Sequence, residues 1–255
     1  IITPALLTGS VAGRIRFRSY ILFMLLFSLL IYSPLAHMTW HPDGLLRNWG
    51  VLDFAGGTVV HMSAGLAALA GAVFLGKRKE QTLEHGNVPF VILGTGLLWF
   101  GWFGFNAGSA LGANADAVIA FANTNIASAT AMITWMFYER MLGRKMSAVG
   151  ACVGAVVGLV AITPAAGFVN IGQSMFIGFI AALICNWAIQ WKNRSSIDDT
   201  LDVFPSHGVG GIVGMVLTGV FAKDVGLVYG ETTTFLYHLL ALVLTSVFAF
   251  GGSYL

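Results

Sequence analysis

Charged side chains are scarce in this chain. Lysine, arginine, aspartate and glutamate make up 9% of its 255 residues, whereas soluble domains average about 25%. Hydrophobic residues make up 57%, and the mean hydropathy is +0.82. A water-soluble protein of this composition could not cover its surface with polar groups. The sequence therefore predicts a protein whose helices cross a membrane several times.

Cysteine is also rare, and only Cys152 and Cys185 occur. Each lies inside an apolar stretch, where a thiol behaves as a small hydrophobic side chain, so neither a disulfide nor a cysteine metal site is expected. The sequence also shows no recognisable cleavable signal peptide. The roughly 13 apolar residues before Arg14 are too few to span a bilayer. We expect the chain to begin partway through a helix, with earlier residues missing.

Long apolar runs fill the rest of the chain. Each full run has about 18–24 residues, which suits a helix that crosses ~30 Å of hydrocarbon. The pattern predicts an all-α polytopic membrane helical bundle that forms one domain over residues 1–255, with eight full spans after a partial first one. The predicted runs are Ile1–Gly13, Ser19–Trp40, Phe54–Leu75, Pro89–Ser109, Ala117–Tyr138, Ser147–Pro164, Ile171–Trp191, Thr200–Phe221 and Thr232–Leu255.

Basic residues fall on alternate connections between these runs. Of the thirteen lysines and arginines, only Arg47 and Lys223 lie on the other connections. By the positive-inside rule, the basic connections are predicted to be cytoplasmic and the protein to be a multi-pass protein of the cell membrane. The basic connections hold Arg14, Arg16, Arg18, Lys77, Arg78, Lys79, Arg140, Arg144, Lys145, Lys192 and Arg194.

Two apolar runs carry a histidine at matching positions. In DFAGGTVVHMSAG, His61 follows Asp53 by eight residues, and in DTLDVFPSHGVGG, His207 follows Asp199 by eight. At 1.5 Å per residue, each histidine lies roughly 12 Å deep, near the middle of a bilayer. Because an ionisable group at that depth is costly, both are candidate functional residues. Each aspartate is expected to cap the start of its helix.

The helices of His61 and His207 run in opposite directions in the predicted topology. Histidines at similar depth on oppositely directed helices are typical of an inverted-topology repeat, whose site lies at the repeat interface near the midplane. The two histidines are five runs apart. The sequence therefore predicts inverted repeats of five helices each.

Spacing alone leaves the role of the two imidazoles open. Neutral imidazoles can line a path for a small polar solute or a proton. Two histidines from two helices can also ligate a haem iron or another metal. Against a metal, the sequence has no third or fourth histidine, cysteine or carboxylate at similar depth.

Aromatic residues are frequent in the run LLWFGWFGFNAGSA. This run is predicted to reach the outer membrane face at Ser109, the same face at which Trp40 ends its own helix. These side chains are typical of an interfacial aromatic belt, but their faces could instead bind a small cation, with Ser109 as a hydrogen-bond acceptor. The other histidines are interpreted as surface or packing residues. Glycines at four-residue spacing are interpreted as close helix contacts, and Asn123 and Asn125 as interhelical links. The aromatic residues are Trp99, Trp102, Phe103 and Phe105; the other histidines are His37, His41, His85 and His238; and the spaced glycines are Gly150, Gly154 and Gly158.

Several segments resemble the ammonium transporter family (Amt/Mep/Rh), and most closely its bacterial Amt type. They are LDFAGGTVVHMSAG, GWFGFNAGSA, DDTLDVFPSHGVGGIVG, ITPALLTGSVAGRIRF, FANTNIASATA and ITPAAG. The resemblance covers essentially the whole chain. It implies an eleven-helix protomer in a homotrimer, with a pore through each protomer. It also implies that this chain is a partial transporter domain that lacks the first two helices and the start of the third.

The resemblance implies roles for individual residues. His61 and His207 match the family's twin pore histidines. Trp40 and Ser109 match its ammonium-recruitment site at the outer face. Phe105 matches the inner of two stacked gate phenylalanines, whose partner would precede Ile1.

Two further positions match the family, and one pair departs from it. Trp102 corresponds to a tryptophan that lines the pore. Asp53 corresponds to an acidic residue with a structural and electrostatic role, and Asp199 is assigned the same role. Pro205–Ser206, immediately before His207, departs from the family's commoner pair of small apolar residues. Proline is tolerated there only in the first helical turn.

The implied activity is transport rather than catalysis, and the resemblance implies no cofactor or metal. NH4+ would be recruited at the outer face and lose its proton, and NH3 would pass the gate and the twin histidines. Whether the proton crosses separately is left open. Implied partners are ammonium, methylammonium as its analogue, the lipid bilayer, further copies of the chain and a cytoplasmic PII-type signal protein. The alternatives are an ammonium-sensing receptor domain and a bis-histidine haem protein for electron transfer.

Overall fold

The computed structural model describes residues 1–78 and 87–255. Within those ranges every regular element is helical, which confirms the all-α prediction. Lys79 and His85, which the sequence assigned to a basic connection, lie outside the described residues. The α-helices are α1 (Ile2–Val11), α2 (Phe17–Phe27), α3 (Ser33–Trp40), α4 (Leu45–Asn48), α5 (Ser63–Leu75), α6 (Val88–Gly108), α7 (Ala115–Met141), α8 (Ala148–Ile162), α9 (Ile171–Arg194), α10 (Gly210–Phe221) and α11 (Thr232–Tyr254).

Three π-helical turns join some of these helices. They are π1 (Ser28–Tyr32), π2 (Gly57–Met62) and π3 (Phe204–Val209). The first joins α2 to α3, the second leads into α5 and the third leads into α10. A short 3₁₀ turn at Leu227–Tyr229 precedes α11.

In the described part of the chain, seven helical stretches are long and apolar enough to cross a membrane. The prediction of a multi-pass membrane protein is therefore confirmed. The helix predicted over Ser147–Pro164 is shorter than expected, because α8 ends at Ile162 after 15 residues, or about 22 Å. Asn123 of α7 stabilises the turn that follows α8, because its side-chain amide donates to the carbonyls of Ala166 and Val169.

Two large hydrophobic clusters and a small one around Trp102 build the core of the described residues. In one large cluster, α8 lies so close to α7 that backbone and side-chain atoms of α7 occupy the space a Cβ would need at Gly154 and Gly158, as the four-residue spacing predicted. The first cluster includes Leu7, Val11, Phe27, Leu35, Met62, Leu66, Met215 and Ala241, and the second includes Ala127, Ala131, Trp135, Val157, Ala161, Ile177, Ala181 and Cys185. Cys152 and Cys185 are both buried free thiols.

The loops collect at two ends of the bundle. The Asp53 end carries loops 41–56, 109–114 and 163–170, and there the Phe54 N–H donates to the carbonyl of Pro164. The Asp199 end carries loops 12–16, 142–147 and 195–203, and there Arg14 and Arg78 pair with Asp198. The two helices that begin with π2 and π3 start from opposite ends and meet inside the bundle.

Candidate functional site

The two candidate histidines lie in π-helical turns. His61 lies in π2 and His207 in π3, and each turn continues directly into an α-helix. Turns of this kind are rare and occur frequently at functional sites. Pro205 is the second residue of π3, within the first turn, where a proline removes no intrahelical hydrogen bond.

Asp53 organises the start of the segment that carries His61. Its carboxylate accepts hydrogen bonds from the N–H groups of Gly56, Gly57 and Thr58 at 2.6–2.8 Å, and from Thr58 Oγ1 at 2.5 Å. Gly56 has a φ of +131°, a conformation that favours glycine because it has no Cβ. These bonds satisfy N–H groups that a helix start leaves free, so Asp53 sets the direction in which π2 carries His61.

Asp199 lies at the equivalent position before π3 but has fewer partners. Its Oδ2 accepts the N–H of Phe204 at 2.7 Å, and its Oδ1 has no partner within the described part of the chain. Burial raises the pKa of Asp199, because a carboxylate is poorly solvated there. Lys192 Nζ donates to the Asp199 carbonyl at 3.1 Å and pairs with Asp202 Oδ1 at 2.7 Å.

The two imidazoles are in direct contact. Nδ1 of His61 lies 3.2 Å from Nδ1 of His207, and the ring centroids are 5.3 Å apart at 23°. Both side chains are buried, with residue exposures of 0% and 8%. One Nδ1 donates and the other accepts, so two neutral rings must be opposite tautomers. Among residues 1–78 and 87–255, His61 Nε2 has no hydrogen-bond partner, which leaves it available to a small polar molecule.

Glycines allow the two histidine segments to approach this closely. A Cβ on Gly65 would collide with the backbone of Gly208, the residue after His207. A Cβ on Gly211 would lie 3.0 Å from the carbonyl oxygen of Gly57. The backbones of the two segments therefore touch on either side of the imidazole pair, and any side chain at these positions would separate them.

Two aromatic residues of α6 surround His61. The Trp102 ring stacks on the imidazole at 5.3 Å and 10°, and the Phe105 ring meets it edge-on at 6.0 Å and 89°. Trp102 Nε1 donates to Thr163 Oγ1 at 3.0 Å, which fixes the indole on the imidazole face. No sequence pattern indicates Thr163, because its role depends on how α6 packs against the end of α8.

Trp40 and Ser109 both lie half-buried at the Asp53 end. Trp40 Nε1 donates to the Asp53 carbonyl at 2.9 Å, and Ser109 Oγ donates to the Phe105 carbonyl at 2.9 Å. Trp40 is thus hydrogen-bonded to Asp53 and Ser109 to Phe105, and neither of these two bonds joins Trp40 to Ser109. The arrangement connects Trp40 to the capped segment of His61, and Ser109 to the ring that covers His61.

Two cavities lie elsewhere, near the Asp199 end. One, of about 240 Å³, lies between α7 and α9 and is lined by Trp135, Glu139 and Arg144 among others. The other, of about 210 Å³, is lined by Lys77, Arg78 and Lys192 with neighbouring residues. We centre the candidate site on the histidines rather than on these cavities, because the buried polar groups converge at the histidines.

The site consists of a buried imidazole pair walled by aromatic rings. It can exchange hydrogen bonds with a small neutral molecule through ring nitrogens, and it can pass a proton between the two rings. Aromatic and aliphatic walls exclude water and disfavour a bare ion. The surroundings of the pair are buried and mostly aromatic, with a few hydrogen-bonding positions.

The chain matches the family model described as Ammonium Transporter Family over residues 1–255. It is 51% identical over 254 residues to an ammonium transporter of Aquifex aeolicus (strain VF5), covering 97% of this chain and 60% of that protein. The chain thus spans about three fifths of the length of that relative.

Solved structures give the same comparison in three dimensions. The fold is similar to a crystal structure of Candida albicans Mep2, with a TM-score of 0.93 and 38% identity, over 99% of this chain and 60% of that one. It is also similar to a structure described as a Sensor Amt Protein, with a TM-score of 0.91 and 30% identity, over 99% of this chain and 67% of that one.

Proposed function

Because this chain belongs to the ammonium transporter family, whose members are transporters rather than enzymes, we propose that it carries ammonium or ammonia across a lipid bilayer past His61 and His207. The observation that carries the proposal is the buried contact of 3.2 Å between the two imidazoles, with His61 Nε2 unpartnered among the described residues. Such a pair offers hydrogen bonds inside an otherwise apolar passage.

The path begins at the Asp53 end in this proposal. NH4+ is held near the Trp40 indole and Ser109 Oγ, since an aromatic face attracts a cation and a hydroxyl accepts its N–H bonds. The ion then gives up its proton, because a dry passage disfavours a charge far more than a neutral molecule. NH3 passes Phe105 and moves along Trp102 by exchanging hydrogen bonds with the two imidazoles.

The proton has its own candidate route. Two imidazoles in hydrogen-bond contact can take up a proton at one ring and release it from the other. The contact between the Nδ1 atoms of His61 and His207 provides that step. Net transport is then electrogenic if the proton follows the ammonia.

The surroundings of the protein follow from the same proposal. We assign the Asp199 end to the cytoplasm, because the basic loops with Arg14, Arg78 and Arg144 lie there. The exposed apolar helix faces are assigned to lipid and to the other protomers of a homotrimer. A PII-type signal protein is a proposed partner at the Asp199 end. We also propose that the chain is one part of a longer transporter domain, since it spans three fifths of the relative from Aquifex aeolicus.

Replacement of both histidines tests the proposal. The protein is reconstituted in vesicles, and the current that follows an ammonium pulse is measured for the wild type and for the double variant H61L/H207L. Losing the hydrogen bonds of both rings should lower the current at least about tenfold. H41Q, at an exposed histidine of the same end, is the control and should match the wild type. An undiminished current in H61L/H207L would contradict the proposed path.

A sensor is the second candidate, because the fold is similar to the structure described as a Sensor Amt Protein. A sensor binds ammonium and changes conformation without sustained flux. Ammonium binding measured by calorimetry, with no current in vesicles that hold folded protein, would favour the sensor. Sustained current would favour the transporter.

The haem alternative conflicts with the geometry of the pair. An iron bound by two imidazoles needs its nitrogen ligands about 4 Å apart, which is twice a metal–nitrogen distance of roughly 2.0 Å. The Nδ1 atoms are 3.2 Å apart and bonded directly. The rings are therefore arranged for a hydrogen bond between them rather than for a porphyrin.

A further inference from the structure

His238 is a third buried histidine, and it lies away from the imidazole pair. It belongs to α11, has a residue exposure of 0%, and was interpreted from sequence as a surface or packing residue. Both of its ring nitrogens have backbone partners. Nε2 lies 3.0 Å from the amide nitrogen of Leu52, and Nδ1 lies 2.9 Å from the carbonyl oxygen of Met215.

These partners determine the state of the ring. Because the Leu52 N–H donates to Nε2, that nitrogen carries no proton, and the proton of the neutral imidazole lies on Nδ1. Nδ1–H then donates to the Met215 carbonyl. An imidazolium would direct a second N–H at the Leu52 N–H and break the hydrogen bond to Leu52. Only one neutral tautomer therefore fits this bridge, which joins Leu52 to Met215 through the His238 ring.

The bridge joins the two segments that carry the paired histidines. Leu52 precedes Asp53, whose carboxylate holds π2 and whose carbonyl accepts the Trp40 indole N–H. Met215 lies in α10, which continues from π3. The imidazole of His238 on α11 thus connects the loop before Asp53 to α10, the helix that continues from His207.

The packing makes room for this ring. A Cβ on Gly219 would lie 3.1 Å from Cβ and Cγ of His238, closer than most side chains tolerate. The neighbouring Tyr237 stacks on Trp49 at 5.6 Å, which ties the same turn of α11 to the loop before Leu52. An apolar residue at 238 would fill the space but leave the buried Leu52 N–H without this acceptor.

We infer that His238 is a positioning residue that holds the Leu52–Asp53 peptide, and through it Trp40 and the start of π2, in the geometry needed to recruit ammonium. The inference rests on the proposed transport function. His238 touches neither the imidazole pair nor the candidate path. Its effect is therefore expected on substrate recruitment rather than on passage between the histidines.

The test compares two replacements of His238 in vesicles. The current is measured over a range of ammonium concentrations for wild type, H238L and H238Q. H238L should raise KM about five- to tenfold, the effect of losing one hydrogen bond, with a maximal current within about twofold of wild type. H238Q should restore KM, because its amide oxygen can accept the Leu52 N–H and its NH2 group can donate to the Met215 carbonyl, as the neutral imidazole does.

Thr245 provides a matched control on the same helix. It is also buried with an exposure of 0%, and its Oγ1 has no partner within the described ranges. T245V should therefore leave KM unchanged. An unchanged KM in H238L with a lower maximal current would show that His238 only packs, and an H238Q variant that resembles H238L would overturn the bridge.

A second measurement does not depend on transport or on the leucine variant. Nitrogen-15 spectra of histidine-labelled protein in lipid, with the His238 signals assigned by their loss in H238Q, report which ring nitrogen is protonated. We expect Nδ1–H with an unprotonated, hydrogen-bonded Nε2. The opposite tautomer or an imidazolium would overturn the inference. A wild type without ammonium current would instead count against the proposed function and leave this result standing.

Discussion

The segments Asp53–His61 and Asp199–His207 repeat one layout at the two ends of the bundle. In each, an aspartate precedes a π-helical turn, the histidine follows eight residues later, and an α-helix continues inward. In each, one residue near the start of the turn has a positive φ: Gly56 at +131° in the first and Asp202 at +55° in the second. The shared layout places two imidazoles in contact from opposite directions.

The two segments differ in how the aspartate is satisfied. Asp53 accepts four hydrogen bonds from neutral donors of its own segment. Asp199 accepts the Phe204 N–H and relies on its surroundings, where Lys192 pairs with Asp202 and holds the Asp199 carbonyl. The Asp53 cap is thus complete in itself, whereas the Asp199 end is held by ion pairs between loops. Equal spacing in sequence does not mean equal stabilisation.

Removal of each carboxylate in turn tests this difference, and the Asp53 variant should give the largest effect. D53A leaves four donors of a buried cap without their acceptor, so we expect a loss of about 3–5 kcal/mol of folding stability. D199A removes one such bond and should cost about 1–2 kcal/mol. Thermal unfolding in detergent measures both variants. Equal losses would show that the two caps contribute alike.

The contact between the segments can be broken without touching a carboxylate. G65A places a methyl group against the backbone of Gly208, where neither side can yield easily, so we expect a loss of about 1–3 kcal/mol and a lower ammonium current. G94A is the matched control, because a Cβ there meets nothing within 4 Å. If G65A and G94A behaved alike, the backbones would not be in close contact at the imidazole pair.

Acid should weaken the pairing of Asp198 with Arg78, and this effect should be the smallest of the three. Hydrogen bonds from Arg78 lower the pKa of Asp198 from 3.8 to about 2. A lowered carboxyl pKa stabilises the folded state fully above the unfolded pKa, and this stability is lost as the pH falls from about 4 to about 2.

The variant D198N measures this contribution. It should be about 1–2 kcal/mol less stable than wild type at neutral pH, after allowance for solvent screening at this rim position. The difference should shrink between about pH 4 and pH 2, because Asp198 is protonated below about pH 4 in the unfolded wild type but stays charged in the folded protein until about pH 2. A difference that stays constant down to pH 2 would show that the ion pair with Arg78 does not set the pKa.

Much of the site was accessible from sequence because its signals are local. An ionisable residue inside an apolar run is conspicuous, and an aspartate eight residues earlier indicates where the helix begins. His238 carried the same signal, since it also interrupts an apolar run, yet its partners are the backbone of Leu52 and Met215. Backbone partners in distant segments leave no residue pattern, so the bridge could not be predicted.

Helix ends were predicted less well than helix positions. The runs predicted from Phe54 and Thr200 begin at Gly57 and Phe204 as helices, because the first residues of each run form the capping loop. The run predicted to end at Pro164 ends at Ile162, and the amide of Asn123 binds the turn beyond it. Hydropathy reports burial in lipid or protein, not the hydrogen bonding of the backbone, so a capping loop and a helix look alike.

The sequence by itself determined the membrane character, the order and approximate position of the helices, and the paired Asp–His spacing, because hydropathy, length and spacing are properties of single segments. Tertiary structure alone decided that Nδ1 meets Nδ1, that Trp102 and Phe105 face His61, and that His238 spans Leu52 and Met215. Those contacts depend on the rotation of each helix about its axis and on its distance from its neighbours. Both are set by glycines and side chains from segments far apart in the chain.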